Sequence, residues 1–480
     1  MRSRSKSLQI WLIATIVLAV VLGSCKSAPA PTATAEPQVQ GFNWRKYAGT
    51  ELYLFLNKHP YAEALLGQIG KFEEKTGIKV RYDMLSEGEF MEKLRIELAA
   101  GTGLYDAFMT GPYTEWEYAP AGWLEPLELF VNDPAKTDQA YYKFEDFYPN
   151  TLAANMWDLN VGSGVGQGHL WAVPTMVETY IIAYRADLFA KYNLKAPTTL
   201  QEMYDAASVL TKGEGGDFRG WLGAGDKGGN AVWTGFPSTL MSHAATKLPD
   251  FDIVDGKLKC VINQPALVPV TDLWIKNVRD NGPLGWTAIT WYDAMELFST
   301  GRYGMIYDCD FFASNFEDPV KSQVAGKVKY ASPVAPVGGT PASSMWTWGL
   351  SMNSKSKNKD AAWLLMQWAT GPDTLLAATR DFRNYNPTRK SVWDDPTVSA
   401  TLGKWGEGTY MTAVRANLEK YARIGWTPEP QIWTLADYWS VALQEIWSGA
   451  KTTQQALDDA AKQMDATIAQ VGIKPGPIGK

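Results

Sequence analysis

Histidine and cysteine are scarce, with three of each among 480 residues. His59, His169 and His243 lie far apart, and none stands at metal-ligand spacing from another histidine or a cysteine, so no zinc arrangement is signalled. Phosphate-binding signatures are missing as well. Gly162, Gly164, Gly166 and Gly168 lack the spacing of a dinucleotide turn, and no Lys-Ser/Thr follows to make a P-loop, so they read as a surface loop. Asp308-Cys309-Asp310 lacks the glycine and distant glutamate of a calcium loop. An excess of basic charge is also absent: the formal charge is −6, which argues against nucleic acid and anionic lipid surfaces as partners. No motif calls for a cofactor or a metal.

What is present begins at the N-terminus. Arg2, Arg4 and Lys6 precede an apolar run from Ile10 to Leu22 broken only by Thr15, and Leu22-Gly23-Ser24 puts small residues ahead of Cys25. The run is shorter than the roughly 20 residues that cross a bilayer, so residues 1–24 read as a signal peptide. Leu22-Gly-Ser-Cys25 resembles a bacterial lipobox, which implies lipidation of Cys25. Residues 25–44, with Pro29, Pro31 and Pro37, then form a flexible tether. Losing the leader lowers 45 basic residues to 42 against 51 acidic ones, a mature charge of −9. Cys260 and Cys309 remain, free to pair in an oxidising compartment or simply to be buried. A body this long is expected to divide into two lobes.

The patterning is α/β. Leu52 to Leu56 reads as a buried strand, Tyr61, Leu65, Ile69 and Phe72 as a helix stopped by Gly77, and Ile78 to Met84 alternates as a strand. Phe90, Leu94 and Leu98 give a second helix, and Asp106 to Met109 a third strand. Further on, Leu170 to Pro174 and Tyr180 to Tyr184 are short strand candidates, and Thr199-x-x-Glu202 is a capping box. Lys359 to Ala369, the Trp439/Leu443/Ile446 stripe and a last helix opened by Thr452-x-x-Gln455 are helical, with Gly472 and Pro475 ending the last.

The order of several segments resembles the family 1 extracellular solute-binding proteins of ABC importers. They are Phe72-Glu-Glu-Lys-Thr-Gly-Ile-Lys-Val80, Gly122-Trp-Leu-Glu-Pro-Leu127, Leu170-Trp-Ala-Val-Pro174, Phe298-Ser-Thr-Gly-Arg-Tyr-Gly-Met305 and Asn358-Lys-Asp-Ala-Ala-Trp363. Asp106 to Tyr113, Trp346-Thr-Trp-Gly-Leu350 and Pro387-Thr-Arg389 are most similar to the sorbitol- and mannitol-binding branch, while Gly228 to Trp233 departs from it. The resemblance implies a type II periplasmic-binding-protein fold: two α/β lobes, a multi-segment hinge and a ligand cleft between them. Crossings are expected near Thr175, Trp348 and Ala400, giving an N-terminal lobe of 45–175 with 349–400 and a C-terminal lobe of 176–348 with 401–480. It further implies a monomer that binds a carbohydrate or sugar alcohol and hands it to an ABC permease. The lipid anchor would hold it at the outer face of the cytoplasmic membrane or in the periplasm. A surface glycosidase or lyase using acids such as Glu178 and Asp308, or a sugar sensor without transport, stays open at this point.

A neutral polyhydroxylated ligand needs flat aromatic faces and polar groups for its hydroxyls. The chain holds 21 Trp, 22 Tyr and 17 Phe, most of them expected in cores. Strand ends supply Asn57 and His59, then Gly111 and Tyr113 with Trp116 one turn on. Glu178 matches a ligand-facing acid of the polyol branch, and Asn230 and Trp233 occupy its divergent stretch. Trp291 and Asp293 begin a helix, and Asp308 and Asp310 end a strand, one to accept hydroxyls and the other to cap the next helix. Of Trp346 and Trp348, at most one is expected to face the cleft. Arg389 matches the branch's Thr-Arg and offers a two-pronged donor.

Overall fold

The protein is described by a computed structural model over residues 41–227 and 229–470. The signal-peptide and Cys25 readings, and the helix stops at Gly472 and Pro475, lie outside these residues. The described strands are β1 (Glu51–Asn57), β2 (Lys79–Leu85), β3 (Ala107–Thr110), β4 (Met156–Trp157), β5 (His169–Leu170), β6 (Val173–Arg185), β7 (Arg219–Leu222), β8 (Phe251–Val254), β9 (Lys257–Cys260), β10 (Tyr303–Cys309), β11 (Val328–Ala331) and β12 (Met345–Met352). Eight of them form one sheet in the order β2-β1-β3-β12-β6-β10-β7, with β11 also on β6. β4–β5 and β8–β9 are separate hairpins.

β1 lies parallel to β2 and β3, and β10 parallel to β7. Two parallel α/β halves are therefore present, as the alternation of apolar runs and helical stripes demands. Antiparallel β6 and β12 join them: the first half of β6 pairs with β12, and its second half pairs with β10 and β11. The two short strands expected at 170–174 and 180–184 are corrected to one thirteen-residue strand whose middle, Thr175 to Thr179, is buried throughout. Covered on both faces, this stretch carries no polar alternation to reveal it as strand.

The helix expected over Tyr61 to Phe72 is two, Pro60–Leu66 and Ile69–Thr76, interrupted at Gly67, glycine being a poor interior helix former. The capping box at Thr199 is formed, with the Thr199 hydroxyl accepting from the Glu202 amide at 3.1 Å, and it opens the helix Leu200–Glu214. Helices cover both halves: Pro372–Phe382 packs on Pro60–Leu66 in the first, and Thr409–Ala416 on β11 in the second. The chain thus crosses between the halves for a third time between these two helices. Trp157, Trp221, Trp363 and Trp439 are core residues, as most of the aromatic content was expected to be. Cys260 and Cys309 are both buried and unpaired. No described helix is long and apolar enough to cross a membrane.

Candidate ligand cleft

The β6–β12 ladder sets Trp346 opposite Glu178 and Trp348 opposite Met176. Residues two apart on a strand share a face, so Glu178 and Tyr180 leave β6 on one side, as Trp346 and Trp348 leave β12. All four line one cavity. Both tryptophans therefore reach it, which corrects the expectation of at most one: a two-residue spacing repeats the pleat instead of crossing it. The cavity measures about 340 Å³, at the low end of the roughly 300–1,000 Å³ typical of small-molecule sites.

Loops and helix starts on both sides complete the wall. His59 follows β1, Glu87 begins the helix Glu87–Ala100 after β2, and Tyr113 stands in the first turn of Pro112–Tyr118 after β3. From the other half come Asn230 and Trp233, Trp291 and Tyr292 at the start of Trp291–Ser299, and Trp433 near the start of Ile432–Ser448. The rings brace one another: the Tyr113 centroid lies 4.8 Å from Trp233, 4.9 Å from Trp346 and 6.3 Å from Trp433. The Tyr292 hydroxyl donates to Glu87 Oε2 at 3.3 Å, joining the two halves across the cleft.

The polar groups have distinct states. His59 Nδ1 accepts from the Tyr61 amide at 3.3 Å, and burial lowers the ring's pKa to about 3. It is therefore neutral, with its proton on Nε2 as a donor. Glu178 is raised well above an ordinary carboxyl by burial first, then by Asp310, Glu87 and Asp308 nearby. Burial also raises Glu87. Among the described residues no lysine or arginine lines the cavity.

Several expected residues stand behind the wall instead of on it. Trp116 is buried under Tyr113, with ring centroids 5.1 Å apart. Asn57 is fully buried beside Glu87. Gly111 serves by having no side chain, since a Cβ there would overlap the Trp346 ring. Asp308, pushed up to about 7 by burial, accepts from Trp291 Nε1 at 3.1 Å and the Cys309 amide at 2.7 Å, and so fixes the indole. Asp310, also near 7 through burial, takes the Thr179 amide and hydroxyl and Asn386 Nδ2 at 3.2, 2.9 and 2.5 Å, tying β6 to the third crossing.

Two expected residues are not brought to the cavity. Asp293 is solvent-exposed and caps its helix through Thr290. Arg389 is fully buried, donating to the Thr370 and Lys143 carbonyls at 2.6 and 2.9 Å with its guanidinium over Phe147.

Sequence reasoning missed Glu87, Gly88, Met91, Tyr180, Thr234, Thr290, Tyr292 and Trp433 on the wall. Glu87 was within reach of the strand-end argument, being two residues past β2, and Tyr180 follows from Glu178 by strand spacing. Trp433 had no signal, because its helix arrives from far along the chain.

A cleft between two α/β halves that share two crossing strands and a third return defines a two-lobed, hinge-closing binding protein. Residues 58–374 match the bacterial extracellular solute-binding protein family. The erythritol/L-threitol-binding protein of Mycolicibacterium smegmatis is 30% identical over 427 residues, covering 88% of this chain and 86% of that protein. The mannitol-binding protein of Pseudomonas aeruginosa is 24% identical, covering 83% and 88%. A ribitol-complexed ABC transporter solute-binding protein from Agrobacterium radiobacter superposes with a TM-score of 0.72 at 23% identity, over 88% of this chain and 99% of that one. The chain belongs to the bacterial extracellular solute-binding proteins, and its fold is the two-lobed type II arrangement.

Proposed function

We propose that this chain is the solute-binding subunit of an ABC importer that captures an acyclic sugar alcohol of tetritol to hexitol size and delivers it to its permease on lobe closure. The observation that carries the reading is the set of ring faces, Trp346, Trp348, Trp233 and Tyr113, opposite buried Glu178 in a cavity of only about 340 Å³. Rings take the C–H faces of the ligand, and Glu178, His59 Nε2 and Asn230 take its hydroxyls. The similarity to the erythritol/L-threitol- and mannitol-binding proteins supports the same ligand class. Asp308 does not line the cavity and its Oδ1 holds Trp291 and the Cys309 amide, which speaks against its serving with Glu178 as a glycosidase pair. We assign the lobes as 45–175 with 349–400 and 176–348 with 401 onward. The third return, between helices packed on opposite halves, supports this.

Thermal unfolding with erythritol, L-threitol, ribitol, mannitol and maltose tests the ligand class. Saturating polyol at about a hundred times Kd adds about 2.7 kcal/mol, a clear rise in midpoint. Stabilisation by maltose alone, or by none of the five, would contradict the reading.

We further propose that Cys25 carries the lipid that keeps the protein beside its permease. The Cys25→Ala variant is expected in the soluble fraction with ligand binding intact. Its retention in membranes would count against the anchor.

A further inference from the structure

The charges of the cleft are one-sided. Glu178 is only 6% exposed and opens onto the cavity, and Glu87 lines the facing wall. The groups facing Glu178 from the surrounding elements are Asp308, Cys309 and Asp310 of the β10 end, Glu87 across the cleft, and the phenols Tyr180 and Tyr292. Glu87 faces Asn57 and Tyr292 besides. The Cys309 thiol beside the Glu178 carboxyl is only a weak donor, and its hydrogen bond goes to Asp310 Oδ1 at 3.7 Å. Among the described residues no cation answers these acids on the cavity wall, because His59 is neutral and neither lysine nor arginine lines it. Trp233, Trp291, Trp346 and Trp348 line the same cavity.

A buried carboxylate without a counter-charge is costly, and a cage of indole faces is the surface that attracts a desolvated cation. We propose that the cleft is built for a polyol bearing a protonated amine, an amino polyol, in preference to its neutral parent and against the corresponding sugar acid. This rests on the polyol reading above. The ammonium supplies three donors and the missing positive charge at Glu178 and Glu87, while the ring faces take its methylenes and charge. A neutral hydroxyl satisfies hydrogen bonds there but leaves the acid cluster without a positive partner. An aldonate adds one more negative charge to it.

The linkage has a definite sign. Glu178 and Glu87 hold their protons above the ordinary carboxyl range in the empty cleft, and an ammonium favours their ionised forms. Amine binding therefore releases protons and strengthens as pH rises, whereas binding of the neutral parent does not.

Calorimetric titration of the mature protein tests this with sorbitol, 1-amino-1-deoxysorbitol and gluconate, and with erythritol, 1-amino-1-deoxyerythritol and erythronate. In the better-binding set the amine is expected to bind about tenfold or more tighter than the neutral parent near pH 8. The ratio shrinks toward about pH 6, buffer-dependent heats show proton release, and the acid is weakest. Glu178→Gln is expected to collapse the amine-to-neutral ratio toward unity. If that variant does not fold, Glu87→Gln at its helix start is read by the same ratio. A neutral parent that binds as tightly as its amine overturns this inference and leaves the polyol reading standing. Binding by no member of either set overturns this inference, the polyol reading then being decided by the thermal-unfolding series, and an amine preference that survives both substitutions overturns the assignment to these acids.

Discussion

The Trp346→Ala variant is expected to bind polyol about a hundredfold more weakly than the parent, with its fold retained. Trp346 stands on β12 directly opposite Glu178, is seated on the bare Cα of Gly111, and braces Tyr113 at 4.9 Å and Trp348 at 5.3 Å. Truncation removes both a stacking face and the support of two others. A half-buried, central tryptophan of this kind costs about 3 kcal/mol when cut to alanine, or roughly two decades in Kd. Trp346→Phe keeps a smaller face and is expected to lose about tenfold. Titration of intrinsic fluorescence measures both, and circular dichroism verifies the fold. Binding by the alanine variant within about threefold of the parent would remove the ring faces from the account.

The second large effect falls on stability. Arg389 has a completely buried guanidinium that donates to Thr370 O and Lys143 O, reaches Asp146 at 3.5 Å and lies 3.9 Å over Phe147. It joins the end of helix Lys359–Ala369 to the loop before Phe144. Arg389→Met keeps much of the stem but leaves the Thr370 carbonyl without its donor, while Lys143 O keeps only the Asp146 amide at 2.9 Å. Asp146 stays partly served by the Ser391 amide and hydroxyl at 2.9 and 2.6 Å. The expected loss is about 3–5 kcal/mol, and the melting midpoint falls on the order of 5–10 °C. Affinity measured well below that midpoint is expected to change little, because the side chain does not line the cavity. A variant that melts normally but no longer binds would return Arg389 to the ligand.

Much of the first lobe was legible in the chain. Apolar runs ended by Asn57-Lys58-His59-Pro60 and by Gly101 and Gly103 read correctly as β1, β3 and the helix between β2 and β3, because parallel strands covered on both faces leave that signature. The hinge was less so. β6 runs through both lobes, and a strand that changes partners midway carries no mark in its own residues of where one pairing ends. For the cleft, strand ends pointed to His59 and Tyr113, and resemblance to Glu178. They could not tell a residue facing the ligand from one holding such a residue. Asp308 and Trp291 differ in that way: both are near a strand end or helix start, but the acid fixes the indole and only the indole reaches the cavity. Trp433 depended wholly on tertiary return of the C-terminal helices.

Isothermal titration of the mature, unmutated protein with erythritol, mannitol and maltose side by side tests the central claim most directly. The account predicts saturable one-to-one binding of at least one of the two sugar alcohols, tighter than maltose, with a negative heat-capacity change as the ring faces are covered. Tighter binding of maltose, or no heat with either sugar alcohol, would contradict it.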